Sequence, residues 1–111
     1  MVNRKIDSVW DRGGFVAVDG VEQEMYIRTI RRLLADEFRY LLLVVEYDRS
    51  RWNSIPFTQP EEKVRKFYDW ANVEKLDAWT VNEKRYQNLK DFATLDVKEV
   101  VYLITPKSGR D

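Results

Sequence analysis

The chain of 111 residues contains no cysteine and no histidine. These two absences exclude thiol nucleophiles, disulfides, histidine general bases and the ordinary zinc sites. Any chemistry must therefore use carboxylates, Lys, Arg, Tyr, Ser or Thr, or a bound cofactor. We expect no metal site in this protein.

Net charge and long apolar runs are also missing. The 19 basic residues balance 19 acidic residues, so no basic field draws in nucleic acid or an anionic membrane. No apolar run is long enough to cross a bilayer, and none of signal-peptide kind follows residues 1–5. We therefore expect a cytoplasmic protein with neither a nucleic acid nor a membrane as partner. The arginines of residues 28–32 are predicted to form a solvated helix face.

What is present is the composition of one globular domain, residues 1–111, with 44% apolar and 34% charged residues. The most informative stretch is residues 6–14, Ile-Asp-Ser-Val-Trp-Asp-Arg-Gly-Gly. Its apolar half has the composition of a buried strand, and it ends in an acid, a base and two glycines. Such an end fits the carboxyl edge of an α/β sheet, where ligands bind. The alternative is a simple turn, with Trp10 in the core and Asp11 and Arg12 as a solvated pair.

The remaining patterns predict the order strand, helix, strand, helix, strand, strand. The first helix begins at a capping box formed by Asp19 and Glu22 and runs to about Asp36. The second begins at Thr58 as its cap. The strands are predicted at residues 5–10, 38–47, 73–82 and 99–105, and residues 82–96 form a loop or a short helix. Core residues of the first helix are predicted to be Val21, Met25, Ile30, Leu33 and Leu34.

The strand at residues 38–47 holds five consecutive aliphatic residues, a pattern that indicates burial on both faces. The loop of residues 47–57 follows it, as the loop of residues 11–14 follows the first strand. A right-handed βαβ unit makes these two strands parallel, which puts both loops at the same sheet edge. The last two strands could form an antiparallel pair at the other edge of the sheet.

Several separate blocks of the chain resemble thiopurine S-methyltransferases in order and spacing. The first is Trp10-Asp11-Arg12-Gly13. The others are Phe38–Leu42, Glu46–Asp48, Pro56-Phe57 with Pro60, Glu74–Trp79 and Val101–Thr105. The resemblance implies a class I S-adenosylmethionine-dependent methyltransferase. The fold it implies is α/β: a doubly wound, mostly parallel Rossmann-like sheet that ends in an antiparallel strand pair. This chain would be the C-terminal half of that sheet.

The resemblance also implies site residues. Asp11 and Arg12 match the catalytic position, and Arg12 also lies at the cofactor. The loop that would contact the substrate is matched by Tyr47, Asp48, Pro56 and Phe57. The family has a second basic residue, which either Lys84 or Arg85 could match. We assign Arg85 to substrate binding. A guanidinium such as that of Arg12 can hold a carboxylate or stabilise a thiolate.

Two functions from different classes follow from this interpretation. The first is methyl transfer from S-adenosylmethionine to a small-molecule thiol, with little or no activity unless the missing half supplies the Gly-rich cofactor turn. The second is a non-catalytic binding or assembly module that retains the half-fold. In either case the first strand has lost a neighbour, which predicts self-association or pairing with a complementing half. An unrelated α/β domain is the third alternative.

Overall fold

The computed structural model describes residues 5–81 and 96–107. Its elements in chain order are β1 (Ile6–Asp11), a 3₁₀ turn (Phe15–Ala17), α1 (Val21–Leu33), β2 (Leu34–Glu46), α2 (Glu61–Phe67), β3 (Ala71–Thr80) and β4 (Lys98–Pro106). The four strands form one sheet in the order β1-β2-β4-β3. The β1–β2 pair is parallel, and β4 is antiparallel to both of its neighbours. The predicted βαβ unit and the terminal antiparallel pair are therefore present. Of that pair, β3 is at an edge of the sheet, whereas β4 lies inside it.

Both helices pack on the same face of this sheet. The buried residues Ile27 of α1 and Val64 of α2 share one core cluster with Tyr40 and Leu42 of β2 and with Tyr102 of β4. Side chains alternate along a strand, so the intervening positions point to the opposite face. Among the described residues, helices thus cover only one face of the sheet. A doubly wound fold has helices on both faces, and the helices of the second face stay a prediction.

The opposite face of the sheet is largely apolar and partly open. Leu41 and Leu103 are half-buried on it, and they pair across strands as neighbours. Trp10 pairs with Leu41, and Trp79 pairs with Glu99, which points to the same side of β4 as Leu103. Trp10 and Trp79 therefore also belong to this face. Trp10 is 57% exposed, so the prediction of a buried first strand is wrong. β1 is an edge strand whose large side chain faces solvent.

The start of α1 differs from the predicted capping box. The N-cap residue is Gly20, with a φ of 58° that favours glycine, and no side chain caps the helix. The carboxylate of Asp19 accepts hydrogen bonds instead from Arg49 Nη2 at 2.6 Å and Lys63 Nζ at 3.2 Å. Burial raises the pKa of Asp19, but these two cations outweigh it and the pKa is lowered. The helix ends at Leu33 rather than Asp36, because the chain enters β2 directly at Leu34.

The buried face of α1 also differs from the prediction. Val21 and Met25 are 71% and 59% exposed, and Leu33 is exposed as well, so their assignment to the core is wrong. The face turned toward the sheet carries Gln23 and Ile27, which are buried. The apolar pattern led to the wrong face because a fully buried glutamine takes the place of a hydrophobic residue in the first turn of the helix.

Gln23 is buried because it has a partner. Its Nε2 donates a hydrogen bond of 3.0 Å to Oε1 of Gln59, which follows β2 and is equally buried.

Replacing Gln59 with methionine keeps the side-chain volume but leaves the Gln23 amide without this hydrogen-bond acceptor. The change should lower the free energy of unfolding by about 2 kcal/mol. The double variant with Gln23→Met should cost less than the single variant. Urea unfolding of all four proteins measures the coupling, and strictly additive costs would contradict this pairing.

The helix α2 begins one residue after Pro60, which is its N-cap, and no side chain caps it. The predicted cap, Thr58, is buried and accepts a hydrogen bond of 3.0 Å from the backbone N–H of Tyr47. It therefore stabilises the end of β2 instead of the helix. The helix is short because β3 already begins at Ala71, earlier than predicted. No described helix is long and apolar enough to span a bilayer.

Candidate functional site

The loops that follow β1 and β2 meet at the carboxyl edge of the parallel pair. The backbone N–H of Phe57 donates a hydrogen bond of 2.8 Å to the carbonyl oxygen of Val16. The ion pair between Arg49 and Asp19 joins the same two loops. The predicted meeting of the two loops at one edge is confirmed. This edge is where α/β sheets bind ligands.

Asp11 lies at the end of β1 and organises the turn that follows. Its carboxylate is buried, at 5% exposure. One oxygen accepts hydrogen bonds from the backbone N–H groups of Gly14 and Phe15, at 3.0 and 3.2 Å. The other oxygen accepts from the hydroxyls of Tyr26 and Tyr40, at 2.7 and 2.6 Å. Four donors fill the acceptor capacity that a carboxylate has, so this group holds the protein together at the turn.

The hydrogen bonds continue from Asp11 into the core. Tyr40 donates its only hydroxyl hydrogen to Asp11, so the 2.7 Å contact between Tyr68 and Tyr40 must have Tyr68 as the donor. Burial, together with the nearby carboxylate, raises the pKa of Tyr26 and of Tyr40, and burial raises that of Tyr68. All three phenols therefore stay protonated as donors at neutral pH. The turn is fixed to α1, β2 and the end of α2 at once.

The two glycines of the turn have different surroundings. A Cβ on Gly14 would lie 2.2 Å from the hydroxyl oxygen of Tyr26, whereas one on Gly13 would meet nothing within 4 Å. We expect Gly14→Ala to displace Tyr26 from Asp11 and to lower the free energy of unfolding by about 2 kcal/mol. Gly13→Ala, the matched control, should be neutral or stabilising by up to about 1 kcal/mol. Thermal unfolding compares the two, and equal effects would contradict this account.

A cavity of about 250 Å³ opens beside this turn. The turn and the 3₁₀ segment contribute Arg12, Gly13 and Val16, and the neighbouring strand β2 contributes Leu43 and Val45. The loop after β2 adds Ile55 and Pro56, and β4 adds Glu99. The walls are thus mainly aliphatic, with one cation and one carboxylate. This combination is typical of small-molecule sites.

Arg12 is the basic residue of this cavity. Its side chain is exposed, and it forms no hydrogen bond or ion pair with the described part of the chain. The preceding residue, Asp11, is not among the cavity-lining residues. The structure thus separates the two predicted catalytic residues: Asp11 is buried and bound by the protein, whereas Arg12 is exposed and lines the cavity.

A family model described as thiopurine S-methyltransferase (TPMT) matches residues 2–107. The chain belongs to the thiopurine S-methyltransferase family. The rabbit enzyme, thiopurine S-methyltransferase of Oryctolagus cuniculus, is 33% identical over 107 residues. The corresponding proteins of Rattus norvegicus and Bos taurus are 32% and 33% identical over 104 residues. These alignments cover 93% of this chain but 41% or 42% of the relatives, so the chain spans about two fifths of their length.

The predicted substrate residues of this family member lie in different places. Pro56 lines the cavity with Arg12, whereas Tyr47 lines a wider neighbouring cavity of about 470 Å³ that also includes Arg49 and Lys63. Phe57 lines neither cavity and is half-buried against the 3₁₀ turn through its backbone. Lys84 and Arg85 lie outside the described residues.

Tyr47 and Asp48 shape the loop after β2. The Tyr47 hydroxyl donates a hydrogen bond of 2.7 Å to the carbonyl oxygen of Pro56, which fixes the end of the loop. Burial raises the pKa of Tyr47. Asp48 is exposed and accepts hydrogen bonds from the N–H and hydroxyl of Ser50, which lower its pKa. Both residues are thus used in the loop's own structure.

Sequence reasoning missed Glu99 and the tyrosines that bind Asp11. Glu99 is 1% exposed and lies at the start of β4, where it pairs with Val45 of β2. The only signal in the sequence is a single acid at the head of an apolar run. Nothing in the sequence around Tyr26 or Tyr40 indicates their role. They bind the same residue, Asp11, only because the fold brings α1, β2 and the end of β1 together. Within the described residues, no group of three or more acidic side chains is arranged to bind a metal.

Proposed function

We propose that the protein contributes to S-adenosylmethionine-dependent methyl transfer onto a small-molecule thiol. One observation carries the proposal: in a chain of the thiopurine S-methyltransferase family, the exposed residue Arg12 lines a mainly aliphatic cavity at the carboxyl edge of the parallel strands. A guanidinium in such a place stabilises an anionic sulfur by charge and by hydrogen bonds. A cytoplasmic location belongs to the same proposal.

The residues described here fit part of S-adenosylmethionine. Arg12 can bind a carboxylate, and Gly13 allows close approach to the backbone. The cavity of about 250 Å³ is smaller than the roughly 300–1,000 Å³ of sites for drug-sized ligands. The chain can therefore contact one end of such a cofactor. When bound, the cofactor supplies an electrophilic methyl group on a sulfonium.

The chain's own residues would prepare the thiol for this reaction. Arg12 holds the sulfur as a thiolate, which is the nucleophilic form. Val16, Leu43 and Val45 exclude water from the sulfur, which strengthens its interaction with the guanidinium. Asp11 is proposed as a positioning residue that acts through the turn carrying Arg12, because its carboxylate is bound by four donors of the protein. Methyl transfer needs positioning and desolvation rather than a histidine or cysteine.

The proposed enzyme needs a further polypeptide portion to complete the site. The chain spans about two fifths of its relatives, and its β1 edge is exposed from Ile6 to Ser8. An exposed edge strand can pair with another strand. The partner is proposed to be the remaining portion of a methyltransferase of this family, which would extend the sheet from β1 and cover the open face around Trp10. Self-association through β1 is the alternative.

Calorimetric titration with S-adenosylhomocysteine tests the proposal, accompanied by size-exclusion chromatography. We expect weak or no binding by the chain alone. Saturable binding is expected after mixing with a polypeptide that corresponds to the portion of the rabbit relative that this chain does not match. Absence of binding by a mixture that does form a complex would contradict the catalytic proposal.

A non-catalytic assembly module is the second candidate, and one observation favours it. The exposed edge of β1 and the open apolar face around Trp10 are features of an interaction surface. A complex that forms but binds neither the cofactor product nor a thiol would support this module.

Arg12 offers a direct test of the anion-binding role. Replacing it with glutamine keeps a polar N–H donor but removes the charge, and we expect the affinity for thiophenolate to fall about tenfold or more. Because Arg12 is exposed and lacks partners in the described chain, stability should stay within about 0.5 kcal/mol. Calorimetry and urea unfolding give the two values. Arg39→Gln, an exposed change on β2, is the control, and unchanged affinity in Arg12→Gln would contradict the role.

A further inference from the structure

A third cavity, of about 420 Å³, is lined by α1 and by the residue Trp70, which lies between α2 and β3. It shares no lining residue with the two cavities at the carboxyl edge of the parallel strands. Three arginines, one acid, one aliphatic residue and one tryptophan line it: Arg28, Arg31, Arg32, Glu24, Ile27 and Trp70. The prediction that these arginines form a solvated helix face is confirmed, because all three are exposed. The cavity also brings them together around one space.

The described part of the chain does not neutralise these three arginines. Their side chains form no hydrogen bond or ion pair with it, whereas Arg49 and Arg65 each pair with an acid. Like charges three and four residues apart on a helix repel each other. Three cations against one carboxylate leave an excess of positive charge in the lining of the cavity. A bound anion would offset this repulsion.

The helix dipole explains only part of this cluster. Arg31 and Arg32 lie in the last turn of α1, where cations interact favourably with the carboxyl end of a helix. Arg28 lies before that turn and gains little from the helix end. Its place in the cavity lining therefore calls for a different account, which an anionic ligand provides.

Trp70 holds one of the guanidiniums in place. Cζ of Arg31 lies 5.0 Å from the centroid of the Trp70 ring, which is within the range of a cation–π interaction. The ring itself is fixed, because its Nε1 donates a hydrogen bond of 2.9 Å to the carbonyl oxygen of Phe67. A cation–π contact engages no hydrogen-bond acceptor. The N–H donors of Arg31 thus stay available to a ligand while the side chain is already positioned.

We propose that this cavity is a second ligand site, which binds the diphosphate group of a small molecule. The planar guanidinium matches phosphate oxygens with pairs of N–H donors. A diphosphate spreads its charge over two adjacent phosphate groups, so it can contact more than one arginine at a time. The cavity lies within the roughly 300–1,000 Å³ of small-molecule sites. Free diphosphate and a nucleoside diphosphate share this group, and the experiment distinguishes them.

Calorimetric titration of the full chain with inorganic diphosphate and with ADP tests the proposal. We expect saturable binding of inorganic diphosphate with a Kd below about 1 mM. Arg28→Gln should weaken it about fivefold or more, through loss of a charged donor. Arg31→Lys keeps the charge but loses the planar group, and it should weaken binding about threefold. Tighter binding of ADP would assign the site to a nucleotide, and equal or weaker binding would assign it to diphosphate alone.

Two variants that each remove one positive charge elsewhere are the matched controls. Arg39→Gln is an exposed change on β2 outside the cavity lining, and it should leave the affinity for diphosphate within about twofold. Arg12→Gln should do the same, which separates this site from the proposed thiol site. An equal loss in Arg28→Gln and either control would overturn the proposal in favour of a general charge effect. Absence of saturable diphosphate binding by the unmodified chain would also overturn it, whether or not any variant folds.

Discussion

Replacing Asp11 with alanine is expected to lower the free energy of unfolding by about 4 kcal/mol. The substitution removes the acceptor for two backbone N–H groups and two tyrosine hydroxyls at once. The donors from Phe15 and Tyr40 are buried and cannot all reach water. Each stranded donor carries a desolvation penalty. Urea unfolding followed by circular dichroism measures the loss.

Two further variants make this expectation specific. Asp11→Asn keeps one acceptor oxygen in place, so it should cost about 2 kcal/mol, roughly half as much. Asp7→Ala removes a carboxylate from the same strand, but Asp7 is exposed, and the change should stay within about 0.5 kcal/mol. If Asp11→Ala were as mild as Asp7→Ala, the hydrogen-bonded turn would not be a main source of stability.

The parallel pair β1–β2 and the strand β4 could be predicted from the sequence because their signals are local. β2 contains an uninterrupted aliphatic run, and burial of Leu42 to Val45 confirms that both faces of the strand are covered there. The meeting of the two loops followed from the handedness of the βαβ unit. These inferences needed only periodicity and connection rules, and they placed Arg12 and Pro56 at the same edge.

The roles of Asp11, Gln23 and Glu99 could not be predicted in this way. Each is a buried polar residue whose burial depends on a partner from another element: Tyr40, Gln59 and Trp79, respectively. A polar residue in an amphipathic pattern is ordinarily assigned to the surface. For α1 this pattern placed Val21, Met25 and Leu33 in the core although they are exposed, whereas the predictions for Ile30 and Leu34 are confirmed. The error thus has the same origin as the missed carboxylate in the cavity.

The second large effect is expected at Phe15, which lies in the 3₁₀ turn after β1. Its ring is fully buried and has edge contacts with Phe67 and Tyr68, at centroid distances of 5.8 and 5.3 Å. Phe15→Ala should lower the free energy of unfolding by about 3–5 kcal/mol, through lost burial and the cavity left behind. Thermal and urea unfolding measure it, and Phe15→Leu should recover part of the loss.

Trp10→Ala is the informative comparison, because it deletes a larger ring from the adjoining strand. Trp10 is mostly exposed on the open face of the sheet, so its removal should cost less than about 1 kcal/mol in the chain alone. If the proposed complementing polypeptide covers that face, the same variant should weaken the complex by about tenfold or more, since a tryptophan buried at an interface is a typical hot spot. A large loss of stability in the isolated chain would contradict the edge-strand assignment. Unchanged affinity in the complex would place the partner elsewhere than on the face around Trp10.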